Sequence, residues 1–235
     1  DEPRRQFGSV TQTGRVAIDQ GLREYILGVY NYMALAVAGT GLFSMLVASN
    51  EALVRTIMGG PLMWVGFIGI LGMGWFAPRV IMGGSKAMAH GMFWAYAVLW
   101  GVMIAPMLLM FQQAGAAQDI YRTFFITSAV FGSMSLWGYT TKRDLSGWAS
   151  FLVMATVGLI IAIVVNALIF KSGMMSLITS SLVVLVFSAV TAYETQAIKS
   201  WYREGSAMNE RASIFGAFML YGSFVTLFIH ILNIL

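Results

Sequence analysis

Glu194 is the residue whose type and position most clearly suggest chemistry. Of the 10 acidic residues in the chain, it alone lies within a long apolar run, which extends from Ser176 to Ala197. An ionisable side chain within the hydrocarbon of a membrane is costly, and such residues commonly mark ion or proton sites. A carboxyl group removed from water ionises less readily, whereas a neighbouring guanidinium favours its ionisation. The sequence therefore predicts a proton-binding or cation-contacting site at Glu194.

Few other groups are available to complete such a site. Thr191 precedes Glu194 by one helical turn, and Asn166 in the preceding apolar segment offers a second neutral oxygen. Ca²⁺ prefers about six to eight oxygen ligands, so these groups predict a weak contact during permeation and no high-affinity metal site. The structural alternative is that Glu194 pairs with Arg79, or accepts a hydrogen bond from a Tyr, Ser or Thr near a helix end.

The sequence contains no recognisable catalytic constellation. A hydrolytic site needs a nucleophile, a base and a group that orients the base. The two histidines, His90 and His230, fall at opposite ends of their predicted segments, so they cannot share one site. There are no cysteines, and no motif for a metalloprotease, a serine hydrolase or a phosphate-binding loop is present. We therefore predict no enzymatic activity and no cofactor.

The composition indicates that a membrane positions these residues. Hydrophobic residues make up 58% of the chain and charged residues only 10%, whereas soluble domains carry about 25% charged residues. Seven apolar segments have the length of roughly 18–25 residues that a helix needs to cross a bilayer. They cover residues 28–49, 61–82, 88–111, 123–140, 147–170, 174–197 and 213–234. We predict an all-α membrane protein, in which residues 1–27 form a cytoplasmic tail with an interfacial helix and residues 28–235 form the seven-helix domain.

The distribution of basic residues predicts the orientation of these helices. Of the 14 Lys and Arg residues, only Arg55, Arg122 and Lys171 lie on one side of the predicted membrane, and the rest lie on the other. Cytoplasmic loops are enriched in Lys and Arg. The amino terminus is therefore predicted in the cytoplasm and the carboxyl terminus outside. This topology also accounts for the net charge of +4, so we predict the lipid bilayer as partner and no nucleic acid.

Several short stretches resemble one known family. Thr191–Ile198 (TAYETQAI) resembles the "AYDTQ" motif of the Bax inhibitor-1 or YccA-like family, also called the transmembrane Bax inhibitor motif family, with Glu in place of the usual Asp. Phe124–Ala129 (FFITSA), Gly138–Leu145 (GYTTKRDL) and Val29–Ala34 (VYNYMA) are similar to its bacterial members. The resemblance covers about residues 20–235, with the motifs in the family's order.

The resemblance implies a fold and an activity. The family fold has two three-helix layers around a central seventh helix, and its activity is a pH-sensitive leak of cations such as Ca²⁺. Two acids, on the sixth and seventh helices, form the pH sensor of the family, and an Arg on the second helix latches onto them. Glu194 matches the acid on the sixth helix, and Arg79 is the candidate for the latch. A bacterial inner-membrane location is implied as well.

The seventh predicted helix departs from the family pattern. Leu220–Phe228 (LYGSFVTLF) aligns with the family's "LYLDFINLF", so that Ser223 replaces the second acid and Thr226 replaces the Asn. A lone carboxylate lacks the mutual repulsion that shifts the titration of a carboxylate pair. The resemblance therefore leaves two functions open: a cation leak at Glu194, or a non-conducting interaction protein that modulates the membrane AAA protease FtsH or belongs to a larger membrane complex. A small-molecule transporter is a third, but the sequence shows no internal repeat of the kind that transporters carry.

Overall fold

The chain folds as a set of long helices. The computed structural model describes the backbone of residues 7–235 and the side chains of residues 20–235. Over this range every regular element is a helix, which confirms the all-helical prediction. The helices are α1 (Phe7–Ala48), α2 (Glu51–Met58), α3 (Leu62–Ala77), α4 (Lys86–Gln113), α5 (Ala117–Thr140), α6 (Ala149–Val165), α7 (Gly173–Trp201) and α8 (Asn209–Ile234).

A long helix occupies each of the seven predicted apolar segments. Within the described residues, six helices are long and apolar enough to cross a membrane. The exception is α5, which spans 24 residues but carries Thr and Ser along much of its length. Its buried polar residues include Thr123, Thr127 and Ser135. The helix is therefore long enough to cross a membrane, but it is less apolar than the other six. The count of seven membrane-crossing helices therefore remains a prediction.

The first helix is longer than predicted. The structure has one continuous helix, α1, from Phe7 to Ala48, and its apolar span begins at Gln20. The predicted boundary between residues 27 and 28 falls inside this helix, so the lead-in helix and the first span are continuous. Residues 1–6 of the predicted cytoplasmic tail lie outside the described residues.

Two prolines affect the helices differently. Pro78 ends α3 and begins a single π-helical turn, Pro78–Met82. A proline ring lacks the backbone N–H and crowds the preceding turn, which commonly bends or widens a helix. Pro106 lies buried inside α4, and that helix continues through it to Gln113. A second π-helical turn, Asn166–Phe170, follows α6 and ends at Lys171, the one non-glycine residue with positive φ in the described range.

The last helix is the most buried element of the described chain. It packs against α1, α4, α5 and α7, while α3 packs against α4 and α6 packs mainly against α7. Its buried Tyr221 contacts an aromatic cluster that includes Phe93 and Tyr96 of α4, and the Tyr96 ring stacks on Phe218 with 4.3 Å between ring centroids. Aromatic packing of this kind fixes the relative rotation of α4 and α8.

The turns α3–α4 (83–85), α5–α6 (141–148) and α7–α8 (202–208) lie at one end of the bundle, here called the basic end. Arg211 joins two of them, since its Nη1 donates hydrogen bonds to the carbonyl oxygens of Met82 and Gly84 at 3.2 and 2.8 Å. Lys86 forms an ion pair with Glu210 nearby. These contacts align the ends of α3, α4 and α8.

Candidate functional site

Glu194 lies on α7 at its interface with α8, seven residues before the end of α7 at the basic end. Its side chain is buried, with 8% of its surface exposed. One carboxylate oxygen, Oε2, accepts a hydrogen bond of 2.7 Å from the hydroxyl of Ser223 on α8. Ser223 is itself only 2% exposed. The two family-matched positions, Glu194 and Ser223, are therefore in direct contact.

Between residues 20 and 235, no Lys or Arg side chain forms an ion pair with the buried acid Glu194. A buried charge without a partner is costly, and the hydrogen bond from Ser223 offsets only part of that cost. Glu194 is therefore the group in this interface whose charge depends most on its surroundings.

Arg79 does not contact Glu194 in this structure. It lies in the π-helical turn after α3, its side chain is exposed, and this turn packs against α4 and α8. The carbonyl oxygens that Arg211 holds, at Met82 and Gly84, directly follow the same turn. The structure thus places Arg79 at the basic end, in a turn that packs against α8, without an ion pair to Glu194. The latch remains a prediction about a different arrangement of these helices.

Thr191 lies one turn before Glu194 as predicted, but its hydroxyl is already used. Thr191 Oγ1 donates to the carbonyl oxygen of Phe187 in its own helix at 2.8 Å, and the residue is fully buried. A hydroxyl group has one donor hydrogen and two acceptor lone pairs, so a threonine that donates to the carbonyl four residues earlier has no second hydrogen to donate. Thr191 can therefore act at the site only as an acceptor.

Asn166 is not part of the site. Its Nδ2 donates to the carbonyl oxygen of Ser172 at 3.1 Å, and its Oδ1 accepts from the Ser172 backbone N–H at 3.1 Å. It thereby closes the α6–α7 turn, at the start of α7, whereas Glu194 lies near the end of that helix. Glu194 lies 22 positions after Ser172, which corresponds to about 33 Å of helix. The prediction that Asn166 supplies an oxygen near Glu194 is corrected accordingly: its amide stabilises a turn at the opposite end of the bundle.

A row of hydroxyl groups connects three helices next to Glu194. Thr195 Oγ1 and Ser135 Oγ lie 2.9 Å apart, and Ser135 Oγ also forms a short hydrogen bond with the hydroxyl of Tyr30. These residues belong to α7, α5 and α1. None of the three was predicted as a site residue, although Tyr30 and Thr195 both lie inside stretches that resemble the family. Because hydrogen-bonded polar side chains specify how spanning helices pack, this row fixes α1 and α5 against α7.

Tyr96 brings a fourth helix towards the Glu194–Ser223 pair. Its hydroxyl lies 3.3 Å from the position that a Cβ atom at Gly222 would occupy, and Gly222 precedes Ser223. A side chain at position 222 would therefore crowd the tyrosine. The neighbouring Tyr221 of α8 forms a hydrogen bond of 2.6 Å with Thr40 of α1. Hydrogen-bonded polar groups of α1, α5, α7 and α8, together with the Tyr96 hydroxyl of α4, thus connect the helices of this part of the bundle.

The two histidines lie away from this cluster. His90 is in the first turns of α4, with its ring centroid 5.5 Å from that of Tyr32. His230 is near the end of α8, and its Nδ1 lies 3.0 Å from Ser180 Oγ. Asn233 donates to the same Ser180 oxygen at 2.8 Å, which makes a second polar contact between α7 and α8 at the end opposite the basic end.

Two cavities lie beside the cluster, and Glu194 lines neither of them. An apolar cavity of about 220 Å³ lies among α1, α4, α5 and α8, where Phe224 and Thr40 contribute to its wall. A polar cavity of about 500 Å³ lies at the basic end, where its lining includes Tyr193 and Gln196, the helix neighbours of Glu194. In this arrangement the carboxyl group is enclosed by protein between the two.

Comparison with known proteins agrees with this architecture. A family model described as Bax1-I, inhibitor of apoptosis-promoting Bax1, matches residues 22–235. The chain is 39% identical to an uncharacterized protein of Rickettsia prowazekii (strain Madrid E), over 96% of this chain and 94% of that protein. It is 34% identical to an uncharacterized protein of Caulobacter vibrioides, over 93% of this chain and 90% of that protein. It is 31% identical to the inner membrane protein YbhL of Escherichia coli (strain K12), over 91% and 92% of the two chains.

Proposed function

This chain belongs to the Bax inhibitor-1 family of membrane proteins, and from that membership we propose that it is a pH-sensitive cation leak whose gate is built around Glu194. The observation that carries the proposal is the contact between Glu194 and Ser223, an acid enclosed between two membrane-crossing helices and balanced by one hydroxyl group. An ionised carboxylate in this position attracts cations, and protonation removes that attraction, so its charge state couples proton concentration to cation passage.

We further propose seven membrane-crossing helices in two three-helix groups around α8. The packing supports this: α1, α3 and α4 form one set of contacts, α5, α6 and α7 form another, and α8 packs against both. The 24 residues of α5 give about 36 Å of helix at 1.5 Å per residue, which exceeds a hydrocarbon thickness of about 30 Å. On α5, Thr123 and Ser128 donate to carbonyl oxygens of their own helix and Ser135 bonds to Thr195 of α7, which lowers their cost in lipid, whereas the buried hydroxyl of Thr127 has no hydrogen-bond partner among the described residues.

The orientation and location are proposed from charge and from relatedness. The basic end carries Arg79, Lys86, Lys142, Arg143 and Lys199, and the positive-inside tendency assigns that end to the cytoplasm. The carboxyl terminus, at the opposite end, is then outside. The relationship to an inner membrane protein of Escherichia coli supports the bacterial inner membrane as the location.

Arg79 is proposed to act as a latch in a second state. The Arg79 side chain is exposed and takes part in none of the ion pairs among residues 20–235. A movement of Arg79 would therefore break no ion pair that it already forms. The latch would neutralise Glu194 and close the path. Arg79→Gln tests the latch, because the amide cannot neutralise Glu194: flux should continue at a pH that stops it in the unmodified protein, and an unchanged pH profile would argue against the latch.

The proposed leak is tested by flux into proteoliposomes loaded with a Ca²⁺ indicator. We expect flux that depends on pH, and we expect Glu194→Gln to abolish that dependence, because the amide cannot titrate. Glu194→Asp, which restores the residue usual in the family motif, should retain it. The matched control is Glu204→Gln, an exposed acid in the α7–α8 turn. An unchanged pH profile in Glu194→Gln, or absence of flux in the unmodified protein, would refute the proposal.

An interaction role is the second proposal, and one observation favours it. The helix α1 begins at Phe7, 13 residues before its apolar span starts at Gln20. That extension corresponds to about 20 Å of helix, which would project towards a cytoplasmic partner such as the membrane protease FtsH or another membrane complex. Deletion of residues 1–19 should then weaken co-purification of the partner while leaving Ca²⁺ flux intact. Retention of the partner by the shortened chain would argue against this role.

A further inference from the structure

A polar cavity of about 500 Å³ opens at the basic end of the bundle. It lies between the α5–α6 turn and the last turns of α7, and the proposed leak does not use it. Its lining includes Lys142 and Arg143 from the turn, with Tyr193 and Trp201 from α7. The cavity is thus a concave surface with two basic side chains at its rim and aromatic residues in its wall.

The turn that carries the two basic residues is held firmly against α7. Gln196 Nε2 donates to the carbonyl oxygen of Arg143 at 2.8 Å, and Gln196 Oε1 accepts from the backbone N–H of Leu145 at 2.7 Å. Lys199 Nζ donates to the Tyr139 carbonyl oxygen at 3.0 Å and lies 4.4 Å from the centre of the Tyr139 ring. A backbone fixed at both ends presents Lys142 and Arg143 in a defined position, so the ordering of a loop need not oppose binding.

The charges at the cavity favour an anion. Lys142 and Arg143 are exposed, and among the residues whose side chains are described neither has a carboxylate within ion-pairing distance. The one acid in the lining, Asp144, accepts a hydrogen bond of 2.9 Å from the backbone N–H of Ser146. The lining therefore carries two positive charges against one negative charge. Guanidinium groups match the oxygen geometry of phosphate well.

We propose that this cavity binds the phosphate group of an anionic phospholipid, with the acyl chains lying along α6. The cavity adjoins lipid-facing surface, since Trp148 and Phe151 follow its lining residue Ser146 closely in the chain and are 45% and 62% exposed. Trp201, whose ring stacks on Phe215 at 5.5 Å, gives an aromatic wall at headgroup depth. Basic pockets between membrane-crossing helices commonly hold such headgroups.

The proposal is tested by native mass spectrometry of the full chain in detergent, titrated with dioleoylphosphatidylglycerol or dioleoylphosphatidylcholine. A basic residue near a membrane surface favours an anionic lipid by an amount that corresponds to about a fivefold change in affinity. We therefore expect Arg143→Gln and Lys142→Gln each to weaken phosphatidylglycerol binding about fivefold. Arg203→Gln, the same change at an exposed arginine of the α7–α8 turn outside the cavity lining, should leave it unchanged.

Asp144→Asn should change phosphatidylglycerol affinity in the opposite direction. It removes the negative charge, while its amide oxygen still accepts from Ser146, so phosphatidylglycerol should bind more tightly. Equal binding of the two lipids, equal losses in Arg143→Gln and Arg203→Gln, or no gain in Asp144→Asn would overturn the proposal. Displacement of phosphatidylglycerol by inorganic phosphate alone would also overturn it, because the site would then take free phosphate. Ca²⁺ flux is not a readout here, so this test and the test of the leak can fail separately.

Discussion

The hydroxyl of Ser223 donates a hydrogen bond of 2.7 Å to Oε2 of Glu194 across the α7–α8 interface. The family pattern has a second acid at the position of Ser223, so this contact replaces an interaction between two acids by one between an acid and an alcohol. Ser223 holds the carboxyl group in place without competing with it for a proton. The geometry of the pair is thereby retained while its electrostatics change.

Ser223→Ala should destabilise the protein, because it leaves a buried carboxylate oxygen without its donor. Loss of a hydrogen bond to a buried polar or charged group typically costs about 1–3 kcal/mol. The measurement is the midpoint of thermal unfolding in detergent. Ser181→Ala is the matched control, since the exposed Ser181 hydroxyl bonds only to the Leu177 carbonyl oxygen of its own helix. An equal decrease in both variants would contradict a specific role for Ser223.

Tyr30→Phe should weaken the connection between α1 and α5. The substitution removes one hydroxyl from the row and leaves Ser135 bonded to Thr195, so a loss of about 1 kcal/mol is expected. Hydrogen exchange of the α1 backbone near residue 30 should increase in the variant. Tyr32→Phe serves as the control, because the Tyr32 ring packs on His90 and Phe93 and its hydroxyl is not part of the row. A Tyr30→Phe protein with unchanged exchange would show that the row does not couple these helices.

Gly138→Ala should force α5 away from α7. A Cβ atom at Gly138 would collide with the backbone carbonyl of Ala192, which cannot move aside as a flexible side chain would. Overpacking of this kind commonly costs about 1–3 kcal/mol. Gly132→Ala is the control on the same helix, since its Cβ would meet nothing within 4 Å and alanine favours helix. Thermal unfolding of both proteins distinguishes steric collision from helix propensity, and a stable Gly138→Ala protein would contradict the close contact.

The turn at Asp144 should respond to pH in a defined direction. Hydrogen bonds from Ser146, first from its backbone N–H, hold the pKa of the Asp144 carboxyl below its usual range. Because the pKa is lower in the folded protein than in the unfolded chain, the ionised Asp144 stabilises the folded protein. This stabilisation is fully present at pH values above the usual aspartate range. It is lost as the pH falls through the lowered value. The Ser146 amide should therefore stay protected from hydrogen exchange until the pH is below the usual range, and protection lost at higher pH would contradict the assignment.

Much of the fold could be predicted from the sequence, because the length of an apolar segment identifies a membrane-spanning helix. The segment 174–197 and the helix α7 (Gly173–Trp201) differ by a few residues at each end. The polar sequence of α5 kept it from the same clear assignment, although Thr123, Ser128 and Ser135 form hydrogen bonds within the bundle. The proximity of positions 194 and 223 followed from the resemblance to the family, and their spacing along the chain would not have indicated it.

The remainder of the site depends on how the helices rotate about their axes. Tyr30 and Ser135 are 105 residues apart, and nothing in either segment alone indicates that they meet. Asn166 was expected near Glu194 because both lie in adjacent apolar segments. The structure separates them, because Asn166 directly follows α6 at the α6–α7 turn and Glu194 lies near the far end of α7, so the two residues are at opposite ends of the bundle. Arg79 was assigned the correct end, but the contact expected of it would require a helix movement.

The presence of one carboxyl group at the α7–α8 interface also limits how steeply the protein can respond to acid. A single titrating group binds one proton, so its occupancy follows a simple one-proton curve with a Hill coefficient no greater than one. Two interacting acids would give two macroscopic steps instead. If flux through this chain changes more sharply with pH than one proton permits, Glu194 acts together with a second titrating group.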